Sequence, residues 1–289
     1  MHYQGTVIRP PSEANSIILQ VTVGCSHNRC TFCGAYKEQK FQLKEWQQVA
    51  ADLDFAAHHC TRLKRLFLAD GDVLILPQHR LVKLLTLVKE KLPWIKRIAL
   101  YANAKAIMAK SAADLQELKE LGLDRVYMGL ESGDDQVLAA INKGADSARM
   151  VAAATRVRQA GIFLSVTALL GIGGVTHSRS HARCTGQVLS RMAPNQIAIL
   201  TLMVLENTPL FCQQQQGDFK LPDNLRLLAE LREIIAEIKG INCQLQANHA
   251  SNYLPINCRL PRHREQVIAE IDAALKGRRK LVPEQLRAL

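Results

Sequence analysis

Ile17-Ile18-Leu19-Gln20-Val21-Thr22-Val23-Gly24-Cys25-Ser26-His27-Asn28-Arg29-Cys30-Thr31-Phe32-Cys33 decides how this 289-residue chain is read. Its first seven residues are mostly apolar and β-branched, the pattern of a buried strand. Three cysteines then fall within nine residues, spaced C-x4-C-x2-C. Thiolates this dense serve as ligands for a soft metal or an iron–sulfur cluster. One cluster has four iron positions to fill. Cys25, Cys30 and Cys33 supply three, which leaves one iron open to a substrate or cofactor.

Two other readings fit the same thiols. They could be inert or redox-active, or they could hold zinc together with His27, since zinc takes mixed Cys/His sets. Structural zinc sites pair two short modules, and no second pair stands at a matching distance. The remaining cysteines, Cys60, Cys184, Cys212, Cys243 and Cys258, are scattered singly. Cys60 reads as a helix-end residue and Cys243 as a strand residue, where a buried thiol behaves as a small hydrophobe. The cluster is the stronger assignment.

The composition predicts an intracellular enzyme. The length suffices for one large domain, or one with an appendage, and for a sizeable core. Eight cysteines without evident pairing predict a reducing compartment and a cytoplasmic location. Met1 to Glu13 is polar, carries two consecutive prolines and does not read as a signal peptide. No apolar run reaches membrane-spanning length, so no membrane partner is expected. The formal net charge of +11 is accounted for first by a solvated basic surface. An anionic partner, nucleic acid or a carboxylate- or phosphate-bearing molecule, is the second account.

Downstream, strand and helix patterns alternate. Lys44 to Cys60 reads as a helix and Arg65 to Ala69 as a buried strand. Leu81, Leu84, Leu85, Val88 and Leu92 share a helical face that Pro93 ends, and Ile98 to Ala102 is a strand. Ser111 caps a helix with Asp114 three residues on, and Gly122 stops it. Arg125 to Leu130 is a strand, Ser147 to Ala160 a helix, Phe163 to Leu170 a strand, His181 to Met192 a helix, and Gln196 to Val204 a strand. Six apolar strands alternating with helices predict a parallel sheet that curls, with its functional residues at the strand ends.

Those ends are unusually polar or glycine-rich. The second strand ends in Asp70-Gly71-Asp72, whose glycine lets backbone approach a ligand and whose carboxylates suit a cation or an ammonium group. The third leads into Asn103. The fourth ends in Gly129-Leu130-Glu131-Ser132-Gly133, with Glu131 placed to accept hydrogen bonds from hydroxyls. The fifth ends in Gly171-Ile172-Gly173-Gly174, which is like a phosphate loop without its lysine; its glycines would let the chain pass close to a flat ring. Asn207-Thr208-Pro209 follows the sixth. Singly each is an ordinary turn. Five in succession after a three-cysteine loop point to one ligand-bearing rim.

From Ile17 to Leu210 the chain resembles the radical S-adenosylmethionine (SAM) enzymes. The resemblance implies an α/β fold, a partial (β/α)6 TIM-type barrel over 1–212, with a C-terminal α/β extension over 213–289 covering the barrel mouth. It implies a [4Fe–4S] cluster on Cys25, Cys30 and Cys33, whose fourth iron takes the amino and carboxylate groups of SAM. Phe32 stands where the family places an aromatic near the adenine. Asp70, Gly71 and Asp72 occupy the place of the Gly-Gly-Glu-type motif that binds the SAM amino group, and Asn103 is a further cofactor contact. Glu131 is similar to the acidic residue that contacts the ribose. Gly171 and Gly173 are similar to the glycine motif beside the adenine. Lys143 could pair with the SAM carboxylate or be a surface lysine. Asn207-Thr208-Pro209 resembles the Gly-Thr-Pro segment of the branch containing the oxygen-independent coproporphyrinogen oxidases, the methylthiotransferases and the Elongator catalytic subunit. There are two departures. The commonest family spacing is C-x3-C-x2-C, one residue shorter, and no further cysteine set follows that would hold an auxiliary cluster.

The implied activity is reductive cleavage of SAM to methionine and a 5′-deoxyadenosyl radical, which takes hydrogen from a substrate. An electron donor such as flavodoxin or ferredoxin is implied with it. Past the barrel, Pro222 to Lys239 reads as a helix, Ile241 to Gln246 as a strand and Arg264 to Leu275 as a helix. Asn248-His249-Ala250-Ser251-Asn252-Tyr253 would either line the substrate pocket, with His249 or Tyr253 donating a proton or hydrogen atom, or be a capped loop. His177 to Arg183 reads as a solvated loop and helix start, with an anion site as the alternative. Three functions compete: a radical SAM enzyme acting on an anionic small molecule, a radical SAM enzyme modifying RNA, and a non-catalytic zinc-stabilised nucleic-acid-binding protein.

Overall fold

The computed structural model of the chain describes residues 1–288. In chain order its elements are β1 (Ile17–Gln20), β2 (Thr22–Val23), β3 (Gln42–Leu43), α1 (Trp46–His59), β4 (Arg65–Ala69), α2 (Gln78–Lys91), β5 (Arg97–Tyr101), α3 (Ala104–Met108), α4 (Ala112–Glu120) and β6 (Leu123–Glu131). There follow α5 (Asp135–Ala140), α6 (Ser147–Gln159), β7 (Phe163–Leu170), α7 (Gly174–Met192), β8 (Gln196–Thr201), α8 (Pro209–Gln216), α9 (Asn224–Glu237), β9 (Cys243–Ala247), β10 (Ile256–Leu260) and α10 (Arg264–Leu275). The six expected strands are β1, β4, β5, β6, β7 and β8, each followed by at least one helix. The α/β class is as expected. The chain forms two compact units, one of Met1–Asn28, Ala35–Met128 and Thr155–Leu164, the other of Arg29–Gly34, Gly129–Ala154 and the residues from Ser165 onward.

In the first unit β1, β4, β5 and β6 are parallel in that order, with Gln20 opposite Ala69, Leu68 opposite Leu100 and Tyr101 opposite Tyr127. Leu66, Phe67, Leu68 and Ala69 are all fully buried, as in a strand covered on both faces. The α2 stripe of Leu81, Leu84, Leu85 and Val88 is buried as its period predicts. Ser111 and Asp114 close the capping box of α4. The run Ile17 to Val23 is not one strand. At Val21 the chain leaves the sheet: its N–H still reaches the Ala69 carbonyl at 2.7 Å, but Thr22 and Val23 pair with β3. The cysteine loop therefore starts from a small hairpin. At the other end of these strands Glu13 is buried, accepting from Arg97 at 2.8 and 3.0 Å and from the Tyr127 hydroxyl at 2.5 Å.

In the second unit β7, β8 and β9 are parallel, and β10 runs antiparallel to β9. One face, carrying Val166, Ile197, Ile199, Leu245, Cys258 and Leu260, is buried, and α7 packs on α9 and α9 on α10. The other face is polar. The register sets Ser165, Gln196, Gln244 and Arg259 in one row, and Gln246 opposite Asn257 in the next. Two expectations are corrected here. The helix expected from His181 begins at Gly174, because the turn Gly171–Gly174 closes on itself (Gly174 N–H to Gly171 O, 3.0 Å) and His177 N–H already bonds Gly173 O. The polar run Thr176 to Ser180 hid this start. His181 is consequently not in a solvated stretch but 0% exposed. The strand expected to Val204 stops at Thr201, where Ser251 takes the Thr201 N–H at 3.1 Å. No described helix is long and apolar enough to cross a membrane.

Candidate functional site

In the first unit the turn after β4 is bound to the start of the cysteine loop. Asp70 Oδ2 accepts from Gln20 Nε2 at 2.8 Å and from Gly24 N–H at 3.2 Å, and Gly71 N–H donates to Gly24 O. A Cβ on Gly71 would stand 3.0 Å from Cys25 Cβ, so glycine is needed where the two loops touch. Asp72 is fully buried. Its Oδ2 accepts from Ser26 Oγ at 2.5 Å and from Asn103 Nδ2 at 2.6 Å, while Asn103 Oδ1 caps α3 through Ala106 N–H. Burial pushes the Asp72 carboxyl up to about 6 against those two donors, and pushes Asp70 up as well. Oδ1 of each aspartate is buried without a partner. Sequence reasoning named Asp70, Gly71, Asp72 and Asn103; it missed Ser26, whose only signal is its place beside Cys25.

In the second unit Glu131 and Lys143 form an ion pair, Nζ to Oε1 at 2.8 Å, with both side chains almost buried. Glu131 ends β6 at φ +65°, the left-handed region that a non-glycine residue rarely takes. A Cβ on Gly129 would stand 2.1 Å from Glu131 Oε1, so Gly129 makes room for the pair. Burial opposes the Lys143 charge, yet Glu131, Cys30 and Cys33 together hold its pKa above the ordinary lysine value. Lys143 is thus not a surface lysine, and two of the three cysteines lie within its field. Cys30 and Cys33 sit in a loop held at Thr31, whose N–H donates to Ile141 O and whose carbonyl accepts Leu210 N–H, both at 3.0 Å. Asn207 Nδ2 donates to Gly34 O, and Thr208 caps α8. Phe32 packs against a cluster that includes Ile172 of the glycine turn, Val137 and Leu138.

The glycines of that turn are explained by packing. Gly171 has φ +83°, and a Cβ there would meet Leu227 at 2.8 Å; one on Gly173 would meet the His181 Cβ at 3.0 Å. What these glycines admit in this structure is the protein's own chain rather than open space. The loop 248–253 divides in the same way. Ser251 and Asn252 are buried and clamp the end of β8, Asn252 Oδ1 accepting from Thr201 Oγ1 at 2.8 Å. His249 Nδ1 accepts the Ser251 N–H at 3.1 Å. The Tyr253 hydroxyl is engaged by Glu284 and Arg287, with the Arg287 guanidinium 4.1 Å above its ring. Among the described residues no three His, Cys, Asp or Glu side chains converge on one metal position, and no disulfide joins the cysteines. The donor chemistry nevertheless fits an iron–sulfur cluster: three thiols on one short loop, two of them beside a buried ammonium.

Parallel strands whose ends carry buried carboxyls and glycine-rich turns define an α/β fold with its polar groups at the strand ends. The chain belongs to the Radical SAM superfamily, whose family model matches residues 19–182, more than half of its length. Among solved structures it is similar to coproporphyrinogen III oxidase (HemN) from Escherichia coli, at 19% identity and TM-score 0.56 over 76% of this chain and 51% of that one. It is also similar to the radical SAM methyltransferase TsrM from Kitasatospora setae with cobalamin and a [4Fe–4S] cluster bound, at 14% identity and TM-score 0.60 over 90% and 61%. A third is archaeal Elp3 from Methanocaldococcus infernus, at 13% identity and TM-score 0.53 over 92% and 64%. The chain spans between half and two-thirds of these proteins, and the likeness is one of fold. None of the curated proteins searched matches the chain. The protein is accordingly an enzyme of the radical SAM class, a class that uses a [4Fe–4S] cluster and SAM and needs an electron donor. The zinc reading is set aside.

Proposed function

We propose that Cys25, Cys30 and Cys33 hold the cluster, that Asp70, Gly71, Asp72, Asn103, Glu131, Lys143, Gly171, Gly173 and Phe32 place SAM, and that the substrate is an anionic small molecule. The observation that carries the cofactor reading is the Glu131–Lys143 pair with Cys30 and Cys33 in its field. A buried ammonium beside two thiolates suits a carboxylate ligand, and Glu131 suits the hydroxyls of a ribose. The unpartnered Oδ1 of Asp72 supports a role in accepting the SAM ammonium. With cluster and SAM bound, the chemistry supplied is one-electron cleavage of a SAM carbon–sulfur bond to methionine and a 5′-deoxyadenosyl radical, which removes hydrogen from the substrate.

The substrate reading rests on the polar face of β7 to β10. Arg259 is exposed there, in register with Gln244, and no carboxylate pairs with it among the described residues. One cation among neutral amides suits a single carboxylate or phosphate group. The net charge of +11 supports RNA as the second reading. His249, half-buried with its Nδ1 engaged, is retained as a proton donor from Nε2. Tyr253 is the weaker candidate because its hydroxyl is already shared. The test is anaerobic reconstitution with iron and sulfide, then assay for 5′-deoxyadenosine with SAM and a reductant. No 5′-deoxyadenosine from protein loaded with iron and sulfide would refute the reading.

A further inference from the structure

The turn after β7 is gripped by chain from well beyond it. Leu221 and Leu227 fill the space beside Gly171, Phe219 and the Lys220 carbonyl fill that beside Gly174, and Val175 N–H donates to Lys220 O at 2.9 Å. One further contact comes from an ionisable side chain. Glu230, on α9 and 2% exposed, accepts the Gly171 N–H on Oε2 at 2.6 Å, and the Ser178 side chain gives its carboxylate a further hydrogen bond. Its Oε1 is buried with no partner. His181, itself 0% exposed, has Nε2 3.9 Å from Oε2. That is too far for a hydrogen bond.

Packing does not call for a carboxylate here. A buried acid with one oxygen unsatisfied is costly, and the contact that accounts for it is the Gly171 N–H. What a carboxylate does, and a methionine cannot, is hold one named backbone amide in one direction. We infer that Glu230 is a positioning residue for the cofactor: through the Gly171 N–H it fixes the backbone of the glycine turn against which SAM is proposed to lie. The inference rests on the proposed role of Gly171 and Gly173. Glu230 acts through Gly171 and is placed in contact with no reacting atom. It also lies outside residues 19–182, so the device belongs to the C-terminal part of this chain.

The test uses the full-length, anaerobically reconstituted protein with wild type, Glu230→Met, Glu230→Gln and Asp72→Asn side by side. Three quantities are measured: the SAM dissociation constant, amide hydrogen exchange at Gly171, and Tm. Glu230→Met leaves the Gly171 N–H unpaired and should lower Tm modestly, speed exchange at Gly171, and weaken SAM binding about tenfold. Glu230→Gln, whose amide oxygen can still accept the Gly171 N–H, should stay within about threefold of wild type. A methionine variant with unchanged exchange or unchanged affinity overturns the inference, and so does one that fails to fold. If Asp72→Asn weakens SAM while Glu230→Met does not, the inference fails and the SAM site stands. A wild type that loads iron yet binds no SAM overturns the SAM site, and the inference with it.

Discussion

The turn after β4 and the turn after β7 solve one problem in opposite ways. Both hold a strand end that is proposed to meet the cofactor. After β4 the carboxylates belong to the turn itself, and their partners are close by: Gln20, Gly24 and Ser26 of the adjoining strand and loop, and Asn103 after the next strand. After β7 the turn carries no polar side chain at all, and its carboxylate is brought by Glu230, 59 residues further on. A turn that carries its own ligand groups is visible in a sequence. A turn whose polar group is supplied by a distant helix is not.

The largest effect should come from the loop that buttresses the first turn. Replacing Cys25, Cys30 and Cys33 together by alanine should abolish iron and sulfide binding, measured per chain after reconstitution. Cys243 and Cys258 are buried on the helix-covered face of β9 and β10, where burial pushes both thiols up to about 11. Their alanine variants should load iron normally. Iron retained in the triple variant would remove the basis for treating the β4 turn as a cofactor turn.

Next come two carboxylates, Asp72 of the first turn and Glu131 at the end of β6. Asp72→Asn and Glu131→Gln should each raise the SAM dissociation constant by about ten- to a hundredfold, with a small change in Tm. Loss of fold without loss of affinity would mean that the first turn is built for stability, which would break the contrast between the two.

The second turn can be examined by pH. Burial raises the Glu230 carboxyl from 4.5 to about 7 and lowers the His181 imidazole from 6.5 to about 4. Between pH 4.5 and 7 the native state keeps a proton on Glu230 that the unfolded chain releases, so this contribution to stability falls as pH rises. Between pH 4 and 6.5 the unfolded chain binds a proton at His181 that the native state does not, so that contribution rises with pH. The two slopes oppose each other. Glu230→Gln should remove the first, so that relative to wild type the variant gains about 2 kcal/mol of stability between pH 4.5 and 6.5 in urea titrations of the unloaded protein. A profile unchanged by the substitution would show that Glu230 is ionised throughout.

The smallest effect is expected at Arg259. Arg259→Gln should leave Tm unchanged and weaken citrate binding, used as an anionic probe, by about threefold at low salt. A steep loss of tRNA affinity with salt, alongside a modified nucleoside as product, would favour the RNA reading instead.

The strands and most long helices were legible because each declares itself within a dozen residues: Leu66 to Ala69 as an unbroken apolar run, Leu81 to Val88 by its period, Ser111 and Asp114 by their cap. The start of α7 was not, since Thr176 to Ser180 has no apolar period and the helix is placed by the turn before it. β10 was missed because its alternation from Ile256 to Leu260 means little until β9 lies beside it. His249 and Tyr253 were legible as residue types, but the residues that clamp β8 are their neighbours Ser251 and Asn252.

By itself the sequence determined the class of chemistry, because the groups proposed to bear ligands are contiguous: three thiols in nine residues, two carboxylates around one glycine, an acid at the end of a strand. Only the tertiary structure decided which of those groups are buried, and with what partners. Burial sets the Asp72 carboxyl near 6 and brings Lys143 to Glu131. It also carries Glu230 to Gly171 across 59 residues. Bonding types follow from side-chain chemistry, which is local, whereas desolvation and long-range hydrogen bonding exist only after the chain has packed.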